Sequence, residues 1–199
     1  MRTAEPPGRV VLLNGTSCAG KTTLARALQD ESDVPFVYWG IDTLFDLVPP
    51  NWGGGRGGPL SREGFRYHRP GPTATGHPVL EIRTGPVGRR MVRSGQHAAA
   101  AFARGGDHVV IDEMLLSPDL MPAWLSALAG LTALLVRVDC PLEEAERREL
   151  ARGNEPGLAR GHYESVHDHG VPYDATVDTT TGTPAELARS VLDRAFDAW

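Results

Sequence analysis

The run Gly15-Thr16-Ser17-Cys18-Ala19-Gly20-Lys21-Thr22 satisfies every fixed position of the pattern G-x-x-x-x-G-K-[ST]. It constrains the fold because its chemistry needs a set context, with a strand entering the loop and a helix leaving it. Both flanks supply that context. Arg9 to Asn14 is a short apolar, β-branched run that reads as a buried strand, and Lys21 to Gln29 carries Leu24, Ala25 and Leu28 at helical spacing. Glycines let backbone N–H groups turn toward an anion, and the helix start adds a favourable dipole. On this reading Gly15 to Thr23 cradles the phosphates of ATP. Lys21 reaches the β- and γ-phosphates, and the Thr22 hydroxyl ligates Mg²⁺. Lysine and arginine total 20, and Lys21 is the only lysine. A compact ammonium on a slim stem fits inside a tightly wrapped loop where a forked guanidinium does not.

Further along, Phe36 to Trp39 reads as a second strand, and Asp42 opens a short helix from Thr43 to Val48. Residues 51–59 are a glycine-rich loop; Phe65–His68 and Val79–Ile82 alternate enough to pair as a hairpin. Helices are expected over Val87–Arg104, Ser117–Leu128, Pro141–Arg152 and Pro184–Phe196, and strands over His108–Asp112, Leu131–Val138 and Ala175–Asp178. Strands alternating with helices imply an α/β fold, with a mostly parallel sheet covered on both faces. The 199 residues form one domain, interrupted by an acceptor-side insertion at about 51–84 and a short lid at about 153–161.

The formal charge of −5 argues against nucleic acid as the main partner. No apolar run approaches the roughly 20 residues that span a bilayer, and Met1 to Pro7 does not resemble a signal peptide. The expected location is cytoplasmic, and the composition is compatible with a homo-oligomer. Cys18 and Cys140 read as free thiols.

Beyond the phosphate loop, several residues are candidates. Asp112 ends an apolar strand, on the rim where parallel strands deliver their C-terminal ends. There it suits a Mg²⁺ site, a helix N-cap or a solvated strand end. Asp42 follows another strand on that rim and suits either an N-cap or the base that takes a proton from an acceptor hydroxyl. Arg148 and Arg152 are four apart and share a helix face before Gly153. They suit charge stabilisation of a transferring phosphoryl group, or ion pairing with Glu144 and Glu149. His162, His167 and His169 cluster without a zinc-ligand spacing.

With these pieces assembled, the chain resembles the chloramphenicol phosphotransferase family. The likeness rests on Leu13-Asn14-Gly15 entering the loop, Trp39-Gly40-Ile41-Asp42-Thr43, and Val110-Ile111-Asp112-Glu113. It continues in Arg148-Glu149-Leu150-Ala151-Arg152-Gly153 and in Tyr173-Asp174 leading to Val177-Asp178-Thr179-Thr180. The resemblance implies ATP-dependent phosphorylation of a hydroxyl on an antibiotic-like small molecule. It implies a fold like the nucleoside monophosphate kinases, with a five-stranded parallel sheet of order 2-3-1-4-5. It makes Asp42 the general base and gives Arg148 and Arg152 contacts to phosphate and adenine. A metabolite or nucleotide kinase, a kinase-type toxin and a nucleotide switch remain the other readings.

Overall fold

Apolar runs without alternation need cover on both faces, and the computed structural model shows how this chain supplies it. The structure describes residues 6–53 and 58–197. Met1 to Glu5, part of the stretch unlike a signal peptide, and residues 54–57 of the glycine-rich loop lie outside the described residues. Strand β1 (Val10–Asn14) is buried at every position. Val10 and Leu12 enter one core, and Val11 and Leu13 enter the core on the opposite face.

In chain order, β1 is followed by α1 (Lys21–Glu31), β2 (Phe36–Gly40), α2 (Ile41–Leu47), β3 (Phe65–His68), β4 (Glu81–Thr84) and α3 (Pro86–Arg104). Then come β5 (His108–Glu113), α4 (Leu120–Ala127), β6 (Ala133–Asp139), α5 (Leu142–Ala151), α6 (Leu158–His162), β7 (Ala175–Asp178) and α7 (Pro184–Asp197). The main sheet runs β2-β5-β1-β6-β7, parallel throughout. Numbering only these five strands along the chain gives 2-3-1-4-5, the order the resemblance implies. Helices α2, α3 and α4 cover one face through Leu44, Val92 and Trp124. Helices α1 and α7 cover the other through Leu24, Leu28, Ala188 and Val191. Strands β3 and β4 form a separate antiparallel hairpin, with Tyr67 opposite Ile82.

Several boundaries move. Helix α4 starts at Leu120 instead of Ser117, which puts Pro122 in its first turn, where a missing N–H breaks no helical bond. Strand β6 starts at Ala133 instead of Leu131. Strand β4 spans Glu81–Thr84 instead of Val79–Ile82. Helix α6 and a 3₁₀ turn at Ser165–His167 have no counterpart in the sequence reading, because five residues around Gly161 are too few to show a period. Among the described residues, no helix is long and apolar enough to cross a membrane.

Candidate active site

The loop between β1 and α1 turns sharply at two places. Gly20 takes the left-handed region at φ 95°, directly before the first residue of α1. Cys18 takes φ 59°, the only non-glycine residue with positive φ among those described. Lys21 is buried; its Nζ donates to the Thr16 carbonyl at 2.8 Å and lies 3.9 Å from Asp112 Oδ1. Parallel pairing of β1 with β5 sets Leu13 beside Asp112 and so fixes this approach.

Asp112 is the meeting point of three side chains. Thr22 Oγ1 donates to its Oδ2, and Tyr38 OH donates to the same oxygen at 3.0 Å. Asp112 is therefore bound sideways to the phosphate loop and is not a helix cap. Tyr38 was not a candidate, since a tyrosine in a strand reads as packing. Burial and the Asp112 charge push its phenol well above the ordinary range, so it stays a donor. The Arg26 guanidinium lies 4.0 Å from the centroid of the Tyr38 ring.

Asp42 does not cap α2. The helix begins at Ile41 with Gly40 as its N-cap, and Thr43 Oγ1 accepts from the Gly40 N–H at 3.4 Å. Asp42 therefore sits in the first helical turn, with its carboxylate committed to no hydrogen bond among those described. It is exposed at the surface. Nevertheless, partial enclosure raises its carboxyl above the ordinary range, with Asp112 adding to the rise and Lys21 opposing it. The charges of Asp112 and Lys21 are close enough to be felt. Tyr67 on β3 is raised as well, by burial first and then by the charges of Glu155 and Asp42.

Glu113, next to Asp112, turns the other way. It is buried and accepts from Trp124 Nε1 at 2.8 Å, while its Oε1 has no partner. Burial pushes its carboxyl up to about 7.

Arg148 and Arg152 line one cavity of about 280 Å³ with Gly20, Thr23, Thr179 and Pro184. Arg148 is held in place there. Its Nε donates to Glu144 Oε1 at 2.7 Å, and its Nη1 donates to Thr179 Oγ1 at 3.0 Å. Thr179 Oγ1 in turn donates to the Ala19 carbonyl at 2.7 Å, joining the β7 end to the phosphate loop. Thr179 appears in the sequence only as part of the family-like segment, and nothing in its spacing marks it as a bridge. Arg152 is exposed, with Nη1 4.0 Å from Cys18 Sγ. The expected pairing of the arginines with Glu144 and Glu149 is half right. Glu144 pairs with Arg147 and Arg148. Glu149 is buried and accepts instead from the Gly157 and Ala159 N–H groups, at 2.7 and 2.9 Å. Within the expected lid at 153–161, residues 158–161 are thereby part of packed α6, while 153–156 are exposed.

The histidines do not assemble into a metal site. His162 Nε2 accepts from the Ile82 N–H at 2.8 Å, while His167 and His169 both meet Tyr173 OH, at 2.8 and 2.7 Å. Among the described residues no group of three His, Cys, Asp or Glu side chains is placed to hold a metal. The oxygen pair of Thr22 and Asp112 is a different chemistry. A hydroxyl and a carboxylate in contact, beside a loop shaped for phosphates, suit a hard cation that keeps most of its waters.

A family model described as chloramphenicol phosphotransferase-like protein matches residues 8–195. Two curated relatives from strains of Mycobacterium tuberculosis, both provisionally named O-phosphotransferases, are each 32% identical over 189 residues, covering 94% of this chain and 81% of theirs. Among solved structures, a sugar kinase from Janibacter sp. HTCC2649 superposes with TM-score 0.65 at 19% identity, covering 96% of this chain and 95% of that one. The Mycobacterium tuberculosis APS kinase CysC, in complex with AMPPNP and APS, gives 0.60 at 19% identity, covering 94% and 97%. The tunicamycin resistance protein of Deinococcus radiodurans gives 0.63 at 13% identity, covering 95% and 96%. At these identities the structural matches show the fold alone.

Proposed function

The chain belongs to the chloramphenicol phosphotransferase-like family and is a P-loop phosphotransferase, and from that premise we propose that it moves the γ-phosphoryl group of ATP to a hydroxyl of a neutral, antibiotic-like small molecule in the cytoplasm. The observation that carries this reading is the placement of Asp42. Its carboxylate is free and raised in pKa, and it lies within electrostatic reach of both Lys21 and Asp112.

In this mechanism the loop Gly15 to Thr23 receives the triphosphate on its backbone N–H groups, and Lys21 neutralises the β- and γ-phosphates. Thr22 and Asp112 would hold Mg²⁺, which when bound offsets phosphate charge. Tyr38 keeps Asp112 aimed at Thr22 by donating to the shared oxygen. Arg148, fixed by Glu144 and Thr179, forms a wall of the nucleotide cavity, and Arg152, at the end of α5 just before the exposed residues 153–156, approaches the phosphates. Asp42 accepts the acceptor's proton as the oxygen attacks phosphorus. The insertion 51–84 builds the acceptor wall, which includes Tyr67, a side chain that senses the charge of Asp42.

The test is a panel of hydroxylated acceptors with ATP, read by product mass. Phosphorylation of a neutral antibiotic is the expected result. Turnover confined to nucleotides, sugar acids or sugar nucleotides, or hydrolysis with no acceptor consumed, would replace this reading with one of the other kinase or switch functions.

A further inference from the structure

Helix α6 is held from two sides. Toward the nucleotide, Thr16 Oγ1 of the phosphate loop donates to the Ala159 carbonyl at 2.7 Å, and Glu149 accepts the Gly157 and Ala159 N–H groups. Toward the insertion, the Gly157 carbonyl accepts from the Leu80 N–H at 3.0 Å, and His162 Nε2 accepts from the Ile82 N–H. Burial keeps His162 below its ordinary pKa and therefore neutral, so Nε2 remains an acceptor. Helix and strand meet backbone to backbone: a Cβ on Gly161 would lie 1.9 Å from the Leu80 carbonyl oxygen. Just before α6, Glu155 pairs with Arg69 of the insertion, whose Nε donates at 3.2 Å.

Strands β3 and β4 have four residues each, and a two-stranded hairpin of that size is marginal alone. Its order is borrowed from what it packs on. The contacts run without a break from Thr16 in the phosphate loop, through α6, to β4, and across the Tyr67–Ile82 pair to β3.

We propose that α6 and the β3–β4 hairpin act as one body, so that a nucleotide on the phosphate loop orders the acceptor wall and the enzyme takes ATP before its acceptor. This rests on the reading of Gly15 to Thr23 as the nucleotide site. A triphosphate that fixes the loop fixes Thr16 and, with it, the carbonyl of Ala159. Local opening of β4 then requires α6 to leave a loop that is no longer free to yield. Coupling of this kind typically changes an opening or binding constant by about 5- to 150-fold.

Hydrogen–deuterium exchange of the full chain, with and without Mg²⁺ and AMPPNP, reads this without any acceptor. The expected result is slower exchange at residues 15–22 and, by about fivefold or more, at the amides of Leu80 and Ile82. Gly161→Ala, which forces β4 away from α6, should lose the second effect and keep the first. His162→Leu should behave likewise, and His162→Gln, which retains an acceptor oxygen, should restore it. Protection of 15–22 with no change at 80–84 in the wild-type chain would overturn the coupling and leave the nucleotide reading intact. Protection at neither place would overturn both. Equal protection of 80–84 in wild type and in a folded Gly161→Ala would show that the junction does not carry the effect.

Discussion

The lone lysine is the residue for which the expected position and the observed geometry agree. Lys21 is buried, its ammonium held by the Thr16 carbonyl and drawn toward Asp112, so it sits in the loop and not on the surface. Lys21→Ala should lower kcat on the order of 10³-fold, since a preorganised charge on a transferring phosphoryl group is among the larger catalytic contributions. Circular dichroism should show the fold intact; near-normal kcat would remove the nucleotide assignment. Arg152 is exposed and makes no ion pair among the described residues, in contrast to Arg148. Arg152→Ala should therefore lower kcat on the order of 10²-fold with melting temperature unchanged. A change in melting temperature alone would make it a structural residue. Lys21 and Thr22 were legible because a motif fixes their spacing, and Asp112 because it ends an apolar strand on the same rim. Tyr38 and Thr179 were not, because each acts through a contact between distant segments. Thr179 meets Ala19 across 160 positions, and no local pattern records that.

At the scale of elements, long periodic segments were read well and short ones poorly. Helix α3 shows its period over 19 residues and differs from expectation by one residue at its start. Helix α6 has five residues, one of them Gly161, and its stability comes from Glu149 rather than from its own sequence. That is why Glu149 was misassigned: on a helix bearing arginines at nearby positions, a glutamate reads as an ion-pair partner. Glu149→Gln keeps one acceptor oxygen and loses the charge. It should destabilise the chain by about 2 kcal/mol in urea unfolding, the range for a hydrogen bond to a charged group. A cost near zero would mean that α6 is held by Thr16 and the β4 contacts alone. The insertion was recognised by composition as distinct, but its attachment to α6 depends on backbone contacts that composition does not encode.

For the whole molecule, two sets of wholly or partly buried titrating groups act on stability in opposite senses. Glu113, pushed up to about 7 from an ordinary 4.5, holds its proton when folded over a range in which the unfolded carboxyl has released it. Its contribution is therefore lost as pH rises from 4.5 through 7. His167, pushed down to about 4 by burial and Arg137, is lowered like His162, so their contributions are lost as pH falls below 6.5. Between pH 4.5 and 6.5 the two sets partly offset one another. Glu113→Gln removes the first set only. The melting temperature of the variant minus that of wild type should be more positive at pH 8 than at pH 5. A difference independent of pH would mean that Glu113 is ionised throughout.

A parallel sheet covered on both faces followed from the alternation of strands and helices, and the order of its strands from the family resemblance. In the proposed mechanism the rim acts on an acceptor through Asp42, for which the sequence left two roles open. The placement of Gly40 as the cap removes one of them. The measurement that bears most directly on the mechanism is the kcat of Asp42→Asn with the acceptor that the panel identifies, followed across pH. Asparagine keeps the size and removes the basic oxygen. The expected result is a fall in kcat of about 10²–10⁴-fold, with AMPPNP affinity and melting temperature little changed. The acid limb of the wild-type rate, set by the raised carboxyl of Asp42, should vanish as well. A variant that keeps most of its kcat and the same acid limb would contradict the assignment of Asp42 as the base.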